Sequence, residues 1–227
     1  MRYLGLALFA EGSTDYQFLP PVLRRATEEL CSRFARTTVE IGDVLELHAP
    51  EAYRGADLAT QILEAAKEAA GAYNILFIHT DGAGDRESAY AQRVKPAAER
   101  IAAQLSHQQE RAVGVVPVRE MEAWTLVDGD ALRDAFGTVL DDVALGIPTR
   151  PRDVEGILDP KQILNQVYDN VLGGKRRRRN TVADFFSAIG ERVQLKRLQQ
   201  VPAFQRFEQE LRTALKELDY LNESASI

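Results

Sequence analysis

Continuous apolar runs, rather than alternating ones, mark the first half of the chain: Tyr3 to Phe9, Asn74 to His79 and Ala112 to Val118. Strands covered on both faces of a parallel sheet read this way. A fourth stretch, "VEIGDVLELHA", alternates from Val39 to Leu47 and reads as an edge strand with one wet face. Helical spacing fills the intervals. "GADLATQILEAAKEAAGA" sets Leu58, Ile62, Leu63 and Ala66 on one face, and "RESAYAQRVKPAAERIAAQL" does the same with Val94, Ala98, Ile101 and Leu105. Pro96 has no amide hydrogen to give a helix interior, so it is expected to kink or restart the second of these. Pro20 and Pro21 are expected to break or kink the helix after the first strand within a turn, for the same reason. Alternation of strand and helix predicts an α/β fold with a mostly parallel sheet flanked by helices.

The pattern changes after Asp128. Gly and Pro punctuate "GIPTRPRDVEGILDPKQ", short helical patterns follow, and a longer one runs from Ala203 to Leu218. There Phe204, Phe207, Leu211, Leu215 and Leu218 form one stripe. The expected division is an α/β domain over residues 1–128 and a helical C-terminal appendage over 129–227, packed on it.

Composition narrows the class of protein. A chain of 227 residues with 45% apolar residues can bury a sizeable core. A net charge of −6 argues against coating nucleic acid by bulk charge, while leaving room for a local basic site. One cysteine, Cys31, allows neither an internal disulfide nor a cysteine-based zinc site and fits a reducing, cytoplasmic setting. No stretch approaches the roughly 20 apolar residues of a membrane span.

The chemistry gathers where strands end. Ligands of open α/β sheets bind outside the carboxyl ends of the strands. Glu11 follows the first run, Gly12 permits a tight turn, Ser13 or Thr14 is placed to cap a helix, and Asp15 lies four residues after Glu11. Asp81 follows the Asn74 to His79 run in "LFIHTDGAGDRE", with Asp85 four residues on. "VPVREMEAWTLVD" brings Glu120 and Glu122, which share a face only if the strand continues through them. Two like charges about 4 Å apart repel by about 4 kcal/mol at an effective dielectric near 20. A divalent cation removes that cost, and oxygen ligands without Cys or a spaced His point to Mg²⁺ or Mn²⁺. Each group also has an ordinary reading. Glu11 and Asp15 suit a helix N-terminus, "DGAGD" suits a turn, Glu120 and Glu122 suit a solvated first helical turn, Trp124 suits the core, and Arg86 suits an ion pair with Asp85.

"EGSTDYQFL" after a strand, "DGAGD" after a later one and "REMEAW" after the next resemble the TOPRIM domain of topoisomerases, primases and the overcoming-lysogenization-defect nucleases. The chain more closely resembles a TOPRIM-like group often encoded beside AAA-type ATPases, a resemblance that "LDPKQIL" and "VPAFQRFEQEL" extend over most of its length. That resemblance implies a TOPRIM or Rossmann-like sheet and makes Glu11 a metal ligand or general base. Asp15 becomes a companion acid, and Asp81 the first aspartate of a D-x-D motif. Position 83 is Ala83 where the motif places its second aspartate, so either Asp85 substitutes or that ligand is missing. Glu120 and Glu122 match acids that serve a further metal in nuclease-type members, the choice between them open. Lys161 and the run Lys175, Arg176, Arg177, Arg178 and Arg179 supply cations for a nucleic-acid backbone, or form solvated loops.

The expected activity is Mg²⁺- or Mn²⁺-dependent phosphodiester hydrolysis of DNA or RNA, with Glu11 and Asp81 catalytic, in a defence or repair setting. The alternative is a non-catalytic TOPRIM-like subunit that binds an AAA-type ATPase or nucleic acid, and a homodimer fits either reading. A small-molecule phosphohydrolase ranks last, because no nucleophilic aspartate motif stands in the right context.

Overall fold

The computed structural model describes residues 1–105, 110–172 and 181–222. Four strands, β1 (Arg2–Phe9), β2 (Val39–Leu47), β3 (Ile75–His79) and β4 (Arg111–Val115), form one sheet in the order β2-β1-β3-β4, and every neighbouring pair is parallel. The fold is therefore α/β, with the alternating β2 at one edge and the largely apolar β1 and β3 in the centre. The third apolar run stops being strand at Val115, short of Val118, because the chain turns there toward the loop that follows β3.

Strand periodicity divides the core in two. Leu4, Leu6 and Leu8 of β1, Ile75 and Phe77 of β3, and Val113 and Val115 of β4 point to one face. Ala7, Phe9, Leu76 and Ile78 point to the other, where they meet α2 (Leu58–Glu68) and α4 (Lys95–Leu105). The first face receives α1 (Asp15–Phe34) and, from the far end of the chain, the helices that follow residue 128.

Pro20 and Pro21 do not end α1, which runs unbroken for 20 residues. Their missing amides would have bonded the carbonyls of Tyr16 and Gln17 in the first turn. Burial of Phe18, Leu19, Val22, Leu23, Ala26 and Leu30 outweighs that loss. Thr14 occupies the N-cap position but its side chain makes no capping hydrogen bond. Pro96 acts as expected. The helix that opens with α3 (Arg86–Ala89) widens into a π turn over Tyr90–Val94 and resumes as α4, with Pro96 in the first turn of the resumed segment.

The C-terminal half begins with α5 (Glu122–Thr125), α6 (Gly129–Phe136), α7 (Asp142–Leu145) and α8 (Pro160–Leu172). It ends with α9 (Phe186–Arg192), α10 (Leu195–Leu198) and α11 (Pro202–Glu217). The apolar stripe of α11 lies against the sheet: Phe207 packs its ring 5.9 Å from Phe77 of β3, and Phe204 meets Trp124 edge-on at 5.2 Å. One core thus runs through both halves. Glu210 of α11 also covers the free edge of β4 by accepting the Gly114 N–H at 2.9 Å and the Tyr90 hydroxyl at 2.8 Å. Among the described residues, no helix is long and apolar enough to cross a membrane.

Because Phe207 is fully buried between α11 and β3, Phe207→Ala is expected to lower the unfolding free energy by about 3–5 kcal/mol in urea melts. The transition should remain single. A loss below about 1 kcal/mol, or two separate transitions, would show that the helical half folds apart from the sheet.

Candidate functional site

The chain leaves β1, pairs β2 on one side, then crosses to place β3 on the other side of β1. That reversal opens a crevice beyond the carboxyl ends of β1 and β3, the place where open α/β sheets take ligands. Glu11 and Asp15 follow β1, His79 ends β3, and Thr80 and Asp81 follow it. Glu120 and Glu122 lie beyond β4, Lys161 begins α8, and Arg93 enters from the π turn. Together they line a cleft of about 320 Å³.

Two loops are bound to each other at its floor. Asp81 accepts the Met121 N–H at 3.1 Å, Ala83 N–H bonds the Arg119 carbonyl at 3.2 Å, and Gly84 N–H bonds the Val118 carbonyl at 2.7 Å. A side chain at Gly82 would stand 2.4 Å from the Pro117 carbonyl oxygen, so the backbones approach as closely as glycine allows. Ala83 has a left-handed φ of 49° and serves this loop pairing through its backbone. Glu120 and Glu122 both reach the cleft, although neither lies on a strand. Glu120 sits in the turn before α5 and Glu122 in its first turn, so neither regular period applies.

At the centre is His79, with 2% of its side chain exposed. Its Nδ1 lies 2.9 Å from the Val115 carbonyl oxygen, an atom that can only accept, so Nδ1 carries the hydrogen. Nε2 then faces Asp15 Oδ2 and Asp81 Oδ1, each at 3.6 Å, and hydrogen-bonds to neither. Asp15 Oδ2 is fixed by the Gly12 N–H at 2.9 Å. On the rim, Arg93 reaches Glu11 Oε1 at 3.2 Å and Thr80 Oγ1 at 3.0 Å. Glu120 Oε2 accepts the Lys161 backbone N–H, 3.4 Å away at the start of α8. Tyr16 clasps the strand ends: it accepts the Ala10 N–H at 2.8 Å and donates to the Leu47 carbonyl at 2.6 Å, and burial pushes its hydroxyl up to about 12.

Carboxylates dominate the cleft, and their mutual cost is visible. Burial raises the Glu122 carboxyl above the ordinary range, Asp81 and Glu120 push it further, and Lys161 pulls back. Asp81 is raised chiefly by desolvation and also by Asp15 and Glu120, against His79 and the Met121 N–H. Its side chain keeps 47% of its exposure, so solvent moderates that shift.

Of the residues expected here, Glu11, Asp15, Asp81, Glu120, Glu122 and Lys161 meet in the cleft. Asp85 does not. Its carboxylate caps α3, accepting the Ser88 N–H at 3.0 Å, a use that an Asp just ahead of a helical pattern announces. Arg86 pairs with Glu87 rather than Asp85, and Trp124 is core. Lys175, Arg176, Arg177, Arg178 and Arg179 lie outside the described residues. His79, Arg93 and Tyr16 were not among the expected site residues. Pro96 was the one local sign for Arg93, because π turns in helices gather at functional sites.

Among the described residues, no three His, Cys, Asp or Glu side chains stand in ready-made ion-binding geometry. The donor set nevertheless suits a divalent cation: carboxylate oxygens of Asp15 and Asp81 flank one imidazole nitrogen, with the buried Glu122 in the same cleft.

The raised carboxyl of Glu122 gives a sign to the pH dependence. A carboxyl whose folded pKa is raised binds its proton more tightly in the folded state, so folding loses stability as pH rises from the ordinary range through the raised value. In chelator-treated protein, Glu122→Gln is therefore expected to melt higher than wild type at pH 7, with the gain vanishing below about pH 4. A Gln variant that melts lower at pH 7 would contradict the assignment of a costly buried charge.

No curated protein and no solved structure matches the chain. A family model described as a domain of unknown function, DUF4276, matches residues 10–212, which contain all the cleft residues named above and reach from the end of β1 into α11. The chain belongs to the DUF4276 family.

Proposed function

We propose that this protein is a divalent-metal-dependent nuclease of TOPRIM-like type, hydrolysing phosphodiesters of DNA or RNA. One observation carries the reading: Asp15 and Asp81, delivered by adjacent parallel strands, converge on one buried imidazole in the cleft where the strand order reverses. The sequence resemblance supports it at Glu11, Asp15, Asp81, Glu120 and Glu122.

Asp15, Asp81 and Glu122 are the residues that would hold Mg²⁺ or Mn²⁺, which supplies Lewis-acid charge to a transferring phosphoryl group. Glu11, about half exposed at the rim, is placed to take a proton from the attacking water. Arg93 beside it offsets charge that develops on the phosphate. A second cleft, of about 670 Å³, continues past Glu11 and Arg93 to His48, Arg54 and Gln61, and Glu11 is the one carboxylate among its lining. A long anionic backbone fits that sequence of acidic centre and basic flank better than a small phosphate ester does.

A second reading has its own observation. Ala83 occupies the second D-x-D position with its backbone committed to the loop pairing, which favours a non-catalytic subunit that binds an AAA-type ATPase or nucleic acid.

Purified protein with Mg²⁺ or Mn²⁺ is expected to cut plasmid, single-stranded DNA or RNA, and Asp81→Ala to slow cutting by about 100-fold or more. Equal cleavage by both proteins would refute the nuclease reading. No cleavage by wild type, together with binding of uncut nucleic acid or of an AAA-type ATPase, would support the second.

A further inference from the structure

We infer that His79 is itself a ligand of this site, through Nε2, and that it makes the site select Mn²⁺ over Mg²⁺; the inference rests on the divalent-metal reading above. Sequence alone points to oxygen donors, because none of the three histidines has ligand spacing. The fold changes the donor set. His79 is buried to 2% exposure, and its ring is oriented by the hydrogen bond from Nδ1 to the Val115 carbonyl. A metal-bound histidine is held in just this manner, its second nitrogen donating to a carbonyl so that the tautomer is fixed.

In the neutral ring that bond leaves a lone pair on Nε2. Among the described residues nothing hydrogen-bonds to it, and the two carboxylate oxygens that face it at 3.6 Å, Asp15 Oδ2 and Asp81 Oδ1, are acceptors as well. With the ring neutral, lone pairs of three atoms face one another; with it protonated, Nε2–H faces the two carboxylates, and a metal at this site takes the place of that proton. Ligands about 2.1 Å from a shared ion stand roughly 3.0–3.6 Å apart at bond angles of 90–120°. Both observed separations, 3.6 Å, lie at the wide end of that range. Asp15 Oδ2 is held by the Gly12 N–H and Asp81 Oδ1 by the Met121 N–H, each carboxylate oxygen keeping a lone pair for an ion.

An imidazole among carboxylates discriminates between cations. Mg²⁺ takes oxygen donors and keeps its waters, whereas nitrogen donors raise affinity along the first transition series. Loss of the Nε2 ligand should therefore cost Mn²⁺ much more than Mg²⁺. His79 adds selectivity to a site whose acids alone would accept either ion.

Pulsed electron paramagnetic resonance of the full-length protein loaded with Mn²⁺ reads the ligand directly, without any activity. Wild type is expected to show echo modulation from one coordinated ¹⁴N, replaced by the ¹⁵N pattern in protein grown with [¹⁵N]histidine. His79→Gln should lose the modulation and bind Mn²⁺ about ten-fold or more weakly, with little change for Mg²⁺. Because His79 is buried, its replacement risks misfolding. The His48→Gln/His107→Gln double variant retains His79 as its one histidine, and a persisting nitrogen signal there assigns the ligand. Mn²⁺ bound in an Asp81-dependent manner without nitrogen modulation would overturn the role of His79 and leave the metal site standing. No Mn²⁺ bound at millimolar concentration would overturn both.

Discussion

The parallel pairing of β1 with β3, in register from Leu6 opposite Ile75 to Phe9 opposite Ile78, is the constraint on which the cleft depends. Parallel neighbours release the chain at the same edge of the sheet, so the acid after each strand arrives at one place. Had β1 and β3 been antiparallel, Glu11 and Asp81 would lie at opposite ends. The pairing is fixed by apolar side chains on both faces, with Leu6 and Phe77 against α1 and α11 and Phe9 and Ile78 against α2 and α4. The acid-bearing edge is thus a consequence of the core, and the C-terminal helices, by completing one face of that core, belong to the cleft's foundation as much as β1 does.

The same constraint creates a conflict. Burial penalises the carboxylates, and their neighbours repel them further, which is why Glu122 and Asp81 are both shifted upward. The protein offsets part of this with fixed donors. Gly12 N–H serves Asp15, Met121 N–H serves Asp81, Lys161 N–H serves Glu120 and Arg93 serves Glu11. None of these donors lies between Asp15, His79 and Asp81. Under the proposed function, a bound cation there is what offsets the carboxylate charge that these donors leave.

Much of this was legible in the chain. Strands buried on both faces write continuous apolar runs, so β1 and β3 could be read almost to the residue, and acids stated immediately after such runs were candidates for the strand-end crevice. Pro96 disclosed a break in its helix. What sequence could not reveal depends on partners far along the chain. The role of His79 requires the Val115 carbonyl of β4 on one side and Asp15 of α1 on the other, and a lone histidine at the end of an apolar run announces neither. Arg93 reaches Glu11 and Thr80 only because of the π turn. Pro20 and Pro21 misled because burial of the α1 face, a tertiary effect, outweighs a local helix-breaking preference. Asp85 was misread for the opposite reason, its cap being a local signal that competed with the attraction of a motif.

The central claim is that the space between Asp15, His79 and Asp81 is a cation site. Anomalous diffraction from crystals soaked in Mn²⁺ tests it most directly. The account predicts a peak within bonding distance of Asp15 Oδ2, Asp81 Oδ1 and His79 Nε2. An anomalous map with no peak in the cleft, or with manganese on surface carboxylates alone, would contradict it.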